Sequence, residues 1–274
     1  MIDLLISQIE PIVHLNFSNA LITILSSMNL YFLLIFMIAF SFNRTAGLQL
    51  LLLVAFSVYL SNFLEHFYFL EQSSHSNFNL MPHIHSHLLV LSVFFLYLIP
   101  AVSKRLFTIV SLLFIFLNIV IHIYHFNHVP WDIVLTVVLA LFIVFTFYRS
   151  LDWVGAIPEQ LKLMLIFLIP LCLFLLSIEN AYVVGLMFSI MFGMHLEQLK
   201  LGSMISNSLS KKAIAFLIGI IGYSLIQLIF FYINHVPSTL LIKGIIVGFW
   251  LAFFAPIILI KLHVYERFQP TIKS

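Results

Sequence analysis

Leu106-Phe107-Thr108-Ile109-Val110-Ser111-Leu112-Leu113-Phe114-Ile115-Phe116-Leu117-Asn118-Ile119-Val120-Ile121 runs without a charge into His122-Ile123-Tyr124-His125-Phe126-Asn127-His128-Val129-Pro130-Trp131-Asp132. The first part decides the class of fold. About 20 predominantly apolar residues are what an α-helix needs to cross the hydrocarbon of a bilayer, and 106–126 supplies them. Runs of this kind recur along the chain, placing spans near 21–42, 47–70, 88–102, 106–126, 132–148, 163–178, 181–195, 213–233 and 239–260. Several are short for a full crossing. Strand-like alternation of apolar and polar residues is absent, which argues against a membrane barrel. The 274 residues include 30 Phe, only 8% are charged, and the mean hydropathy is +1.16. Such a chain lacks the polar surface to coat a water-soluble globule. The expected fold is an all-α polytopic transmembrane helical bundle of about nine spans, forming one integral-membrane domain over 1–274.

Lys and Arg set the expected orientation, because cytoplasmic loops retain positive charge. Arg44 follows the first span, Lys104 and Arg105 the third, and Arg149 and Lys162 flank the loop after the fifth. Lys200, Lys211 and Lys212 follow the seventh, and Lys261, Arg267 and Lys273 the last. Lys243 is the exception, just inside the final span, where a long side chain can snorkel outward. Nine spans then put the N-terminus outside and the C-terminus in the cytoplasm, with 71–87 and 124–131 on the outer face. The first twenty residues carry Asp3 and Glu10 but no Lys or Arg, and no small-residue cleavage site follows, so the first span is expected to stay in the mature protein. The expected location is a bacterial inner membrane, with the histidine-rich segments facing the periplasm or exterior. Basic residues spaced as membrane anchors form no cluster for nucleic acid. Cys172, alone in an apolar span, gives neither a disulfide nor a thiolate metal site. The Ser/Asn/Gly-bearing 202–210 reads as an internal linker.

Ionisable groups beside apolar spans are costly to place there and so mark a functional site. They gather in Glu65-His66, in Pro82-His83-Ile84-His85-Ser86-His87 and in His122 through Asp132. The order of these segments resembles the type-2 phosphatidic acid phosphatase/haloperoxidase superfamily in its bacterial integral-membrane form. That family carries its site in a Lys-x6-Arg-Pro segment, a Pro-Ser-Gly-His loop and a Ser-Arg-x5-His-x3-Asp segment. The corresponding blocks here are Tyr59-Leu60-Ser61-Asn62-Phe63-Leu64-Glu65 through Gln72-Ser73, then Pro82-His83-Ile84-His85, then Ile121-His122 through Asp132. The likeness extends upstream to Ile22-Thr23-Ile24-Leu25-Ser26-Ser27 and Phe42-Asn43-Arg44-Thr45-Ala46-Gly47-Leu48, and loosely to the final spans. It implies a phosphatase-like core over about 20–150 and extra C-terminal spans over about 160–262. It also implies that His128 attacks a lipid phosphate, Asp132 orients His128, and His85 protonates the leaving group, an arrangement suited to covalent catalysis.

The cationic positions depart from the family. Lys is replaced by Glu65, one Arg by Gln72 and the other by His122, while the loop Ser-Gly has become His83-Ile84. Phosphoryl transfer depends on cations that absorb developing charge, and losing one such contact commonly costs ~3–4 kcal/mol. The replacements are themselves donors. If the family geometry holds, Glu65, His83, His85, His122, His128 and Asp132 face one pocket, and an anion cradle has become a cation cage. Glu65, His83, His85, His122 and His128 are the expected ligands, with Asp132 fixing His128 from behind. Spaced by three, His122, His125 and His128 would bring imidazoles to one side of a helix at about 5–6 Å. Nitrogen and carboxylate donors suit a divalent transition metal, zinc or iron first, then manganese or copper. His66, His75, His87 and His125 lie near the pocket without a family role, while His14, His195, His235 and His263 read as interfacial hydrogen-bonding residues.

Three functions follow. One is a metal-assisted enzyme acting on a membrane lipid or isoprenoid-linked substrate. Another is a metal-independent lipid phosphatase passing through a phosphohistidine. The last is a non-catalytic protein that binds lipid or metal, or moves metal or protons.

Overall fold

A computed structural model describes residues 28–74, 84–124, 129–233 and 236–267. The described chain is almost wholly helical. The first element, α1 (Met28–Met37), continues through a π-helical turn (Ile38–Phe42) to Asn43, whose Oδ1 accepts the Ala46 N–H and so caps α2 (Arg44–Ser74). Then come α3 (Ser86–Val102), α4 (Arg105–Tyr124), α5 (Pro130–Ala156) and α6 (Glu159–Leu176). A 3₁₀ turn (Ile178–Asn180) leads into α7 (Ala181–Lys200), which is followed by α8 (Leu209–Phe231). The last span is α9 (Pro237–Phe249), a second π-helical turn (Trp250–Phe254) and α10 (Ala255–Lys261). Among the described residues seven helices are long and apolar enough to cross a membrane, and the apolar Leu30–Phe42 and Ser86–Val102 are shorter. These nine segments coincide with the nine spans read from the sequence. Their bounds differ where local rules win. Pro130, at the first helical position with its φ already suitable, starts α5 early, and α5 runs past Arg149 to Ala156 before Pro158.

The helices sort by burial. Leu48, Leu51 and Val54 of α2, Leu88 through Val93 of α3 and Val184 through Ile190 of α7 form the interior with Leu251 and Leu259. Helices α4, α6 and α8 instead present Leu106, Phe116, Phe167, Leu175, Leu217 and Leu228 outward, as lipid-facing helices do. Helices α7 and α9 run parallel in close contact. A Cβ at Gly244 would strike the Tyr182 carbonyl, one at Gly248 would strike Ser189 Oγ, and one at Gly193 would strike the Ala252 methyl. Small residues four apart on both helices let the backbones approach, where packing replaces the absent hydrophobic drive.

At one end of the bundle the segment read as a linker pairs instead as a strand. Ser203–Ile205 (β1) lies antiparallel to Tyr265–Arg267 (β2), Ser203 opposite Arg267 and Ile205 opposite Tyr265. Glu197 holds the turn by accepting both the N–H and the hydroxyl of Ser203. Beneath it Arg44 is buried at 5% exposure, its Nη2 donating to the Leu251 and Ala252 carbonyls at 2.9 and 2.8 Å and its Nε 3.9 Å from Glu197. The Tyr265 hydroxyl donates to the Phe40 carbonyl at 2.7 Å. Thus Arg44 occupies carbonyls of one π-helical turn and Tyr265 a carbonyl of the other. Lys104, Arg105, Lys162, Lys200, Lys211, Lys212 and Lys261 share this end with Arg44. Lys243, nearer the opposite end, places its Nζ 5.7 Å from the Tyr182 ring centroid.

Candidate functional site

The opposite end carries His66, His85, His87 and His122. His122 lies in the last turn of α4, whose buried residues are Ser111, Ile115, Asn118 and His122, spaced four, three and four. One polar stripe therefore faces inward on a helix that is otherwise lipid-facing. His122 is 5% exposed, and its Nδ1 lies 2.9 Å from the Asn118 carbonyl. A carbonyl only accepts, so Nδ1 carries the proton, and in the neutral ring Nε2 holds the lone pair.

His85 sits immediately before α3, extended at φ −83° and ψ 105°, and its carbonyl accepts the Leu89 N–H at 2.9 Å. Its ring centroid is 6.0 Å from that of His122, with the planes inclined at 49°. Two imidazoles bound to one tetrahedral ion at about 2.0–2.1 Å per nitrogen have centroids about 5.2 Å apart, so the pair stands about 0.8 Å wider than such a site.

Asp132 lies half-buried in the first turn of α5, where the positive end of the helix dipole favours a carboxylate. Its carbonyl accepts the Thr136 hydroxyl at 2.7 Å, and the same Oγ1 accepts the His85 N–H at 3.3 Å. Thr136 is fully buried. Asp132 and His85 are therefore tied through a residue that the sequence reading passed over, as it passed over Asn118. An Asn four residues before a His inside an apolar span was the available signal for Asn118.

Glu65 is exposed on α2. Among the described residues no group of three or more His, Cys, Asp or Glu could hold a metal, so Glu65 and Asp132 do not complete a cage with His85 and His122 there. His83 and His128, with His75, His125, His14 and His235, lie outside the described residues, as does the helical continuation proposed through His125 and His128. His87 is exposed.

A second polar seam at this end joins α2 to the end of α6 and to the turn before α7. His66 Nδ1 lies 3.3 Å from Glu179, Asn62 donates to Asn180 Oδ1 at 2.9 Å, and the Tyr59 hydroxyl donates to the Leu173 carbonyl at 2.8 Å. His195, at the other end, is 3.7 Å from Glu159.

Residues 181–267 match the family model described as PAP2 superfamily phosphatase, transmembrane extension. The match covers α7 through β2 and none of 65–132. No curated protein and no solved structure matches the chain.

Proposed function

Taking the chain as a membrane protein of the PAP2 superfamily, we propose that it is a PAP2-like hydrolase of membrane-lipid or isoprenoid phosphoesters whose site at the histidine-bearing end holds a divalent transition metal. The observation that carries this reading is the His85–His122 pair at 6.0 Å, with His122 Nδ1 bonded to the Asn118 carbonyl. A histidine whose other nitrogen is held by a carbonyl is oriented as metal ligands are. In its neutral form it offers a lone pair where the resembled family offers a guanidinium, so it suits a cation better than a phosphate. His83 and His128, which flank this pair in sequence, are the remaining nitrogen ligands, with Glu65 as a carboxylate donor. Zinc or iron fits these donors first. Such an ion would supply an activated water and absorb the charge that develops on phosphate. In this reading Asp132 would orient His128 and His85 would serve the leaving group. The orientation read from Lys and Arg places this site at the outer leaflet.

A metal-independent phosphatase is the second reading, favoured by the His85–Thr136–Asp132 chain. There a His128 nitrogen bonds to phosphorus as the lipid P–O bond breaks, His85 protonates the departing alcohol, and water releases the phosphate. Elemental analysis of detergent-purified protein, with phosphate release from phosphatidic acid and isoprenyl diphosphate measured with chelator or with zinc, iron, manganese or copper, separates the two. Without metal the turnover is expected below about a hundredth of that of a full-motif relative, a barrier difference of at least ~2.7 kcal/mol. Comparable metal-free rates, or protein that carries no metal and gains no thermal stability from any of the four, overturn the metal reading and leave the phosphohistidine route.

A further inference from the structure

We propose that Thr136 is a positioning residue that sets the height of His85 against the Asp132 turn. The proposal rests on the hydrolase reading for its functional consequence and on hydrogen-bond geometry for its physical basis. Helix α3 starts at Ser86 with no side-chain cap from His85. The His85 N–H donates across the helix boundary to Thr136 Oγ1, 3.3 Å away.

The direction of that bond is decided by the other one. The Thr136 proton is committed to the Asp132 carbonyl at 2.7 Å, four residues back along α5, so the oxygen faces α3 with its lone pairs. A hydroxyl donating to its own helix and accepting from a neighbour is a one-atom splint between two segments that are 51 residues apart in the chain. Because Thr136 has no exposed surface, water cannot take its place when it is removed. The His85 ring in turn stands 6.0 Å from His122. One hydroxyl therefore links the two helix ends that bear Asp132 and His85, beside the His122 ring.

Three versions of the full-length protein in detergent test this: wild type, Thr136→Val, which keeps the branched shape but neither hydrogen bond, and Thr136→Ser, which keeps both. The first readout is kcat and KM for phosphate release from phosphatidic acid in mixed micelles with zinc or iron present. The second is hydrogen exchange at the His85 amide, which needs no activity. Valine is expected to lower kcat about ten-fold with KM within about three-fold, the effect of losing one to two buried hydrogen bonds at the reacting end. It should also speed exchange at His85, and serine should restore both values. If exchange rises but kcat holds, Thr136 is only structural and the proposal fails. It fails equally if exchange is unchanged. Should the wild type release no phosphate with any metal, the hydrolase reading falls, while the exchange comparison still decides whether Thr136 positions His85. If the valine variant does not fold, Thr136→Ala gives the same two readouts.

Discussion

Arg44 carries its charge into a buried site, and its surroundings explain how. Two carbonyls of the π-helical turn Trp250–Phe254 and the Glu197 carboxylate replace its water. A guanidinium can address separate acceptors from one plane, which a lysine ammonium cannot do as well. Arg44→Ala would leave Glu197 buried beside no cation, and a loss of about 3–5 kcal/mol is expected, with Arg44→Lys only partly restoring it. Thermal unfolding in detergent checks this, and the Arg44→Ala, Glu197→Gln double variant should lose less than the sum of the singles, since both remove one pair. Tyr265 adds a pH signature at the same place. Burial pushes its phenol up to about 12 from the ordinary 10.0, with Arg44 pulling partly the other way. A raised value means the folded state keeps the proton longer. The stability this gives is complete below pH 10 and is lost as pH rises toward about 12. Tyr265→Phe should flatten that part of the unfolding profile while the wild type declines through it.

Helix pairing makes its own predictions. Helices α7 and α9 touch backbone to backbone because Gly244 and Gly248 face Tyr182, Leu186 and Ser189. A methyl at Gly248 would meet Ser189 Oγ and lie 2.9 Å from the Leu186 carbonyl, so the helices must part. Gly248→Ala is expected to cost about 1–3 kcal/mol, and larger residues more. Gly155 in α5 has nothing within 4 Å of its added Cβ, so Gly155→Ala should be neutral or stabilising by up to about 1 kcal/mol through helix propensity. Unfolding midpoints of the two alanine variants, measured side by side, test the contrast. On α4 the same logic is polar. Ser111, Asn118 and His122 share its inward face, so the stripe that would be costly against lipid is the one that packs on the bundle.

For the molecule as a whole, the bundle has a basic end around Arg44 and the β1–β2 pair and an opposite end around His85 and His122. If positive charge stays in the cytoplasm, a cysteine replacing Glu179, whose side chain is 73% exposed, should react in intact cells with an impermeant thiol reagent. One replacing Ser103, at the basic end, should not. Native Cys172 should stay silent, because its exposed face lies inside the apolar span α6. Labelling at 103 and not at 179 would turn the molecule over and move the histidines to the cytoplasmic side.

The spans and the segregation of Lys and Arg were legible because the free energy of placing a segment in hydrocarbon is a sum over neighbours in sequence. The start of α5 lies two residues before the span read from 132, because Pro130 takes the first helical position. The histidine segments read as a candidate site because polar groups beside spans need a reason to be there. Which histidines meet was another matter. His85 and His122 stand together, whereas Glu65 is exposed and joins no described metal-capable group. Ser203–Ile205 read as linker because a three-residue strand has no pattern of its own, and only Tyr265–Arg267 across from it supplies the partner. Arg44 read as a surface anchor because nothing near it in sequence shows that Leu251 and Ala252, 207 and 208 residues away, will offer their carbonyls. Asn118 under His122, Thr136 under His85 and Gly248 against Ser189 belong with these. Each depends on helix packing that brings distant or turn-separated groups within hydrogen-bond or van der Waals reach, and that packing exists only in the folded chain.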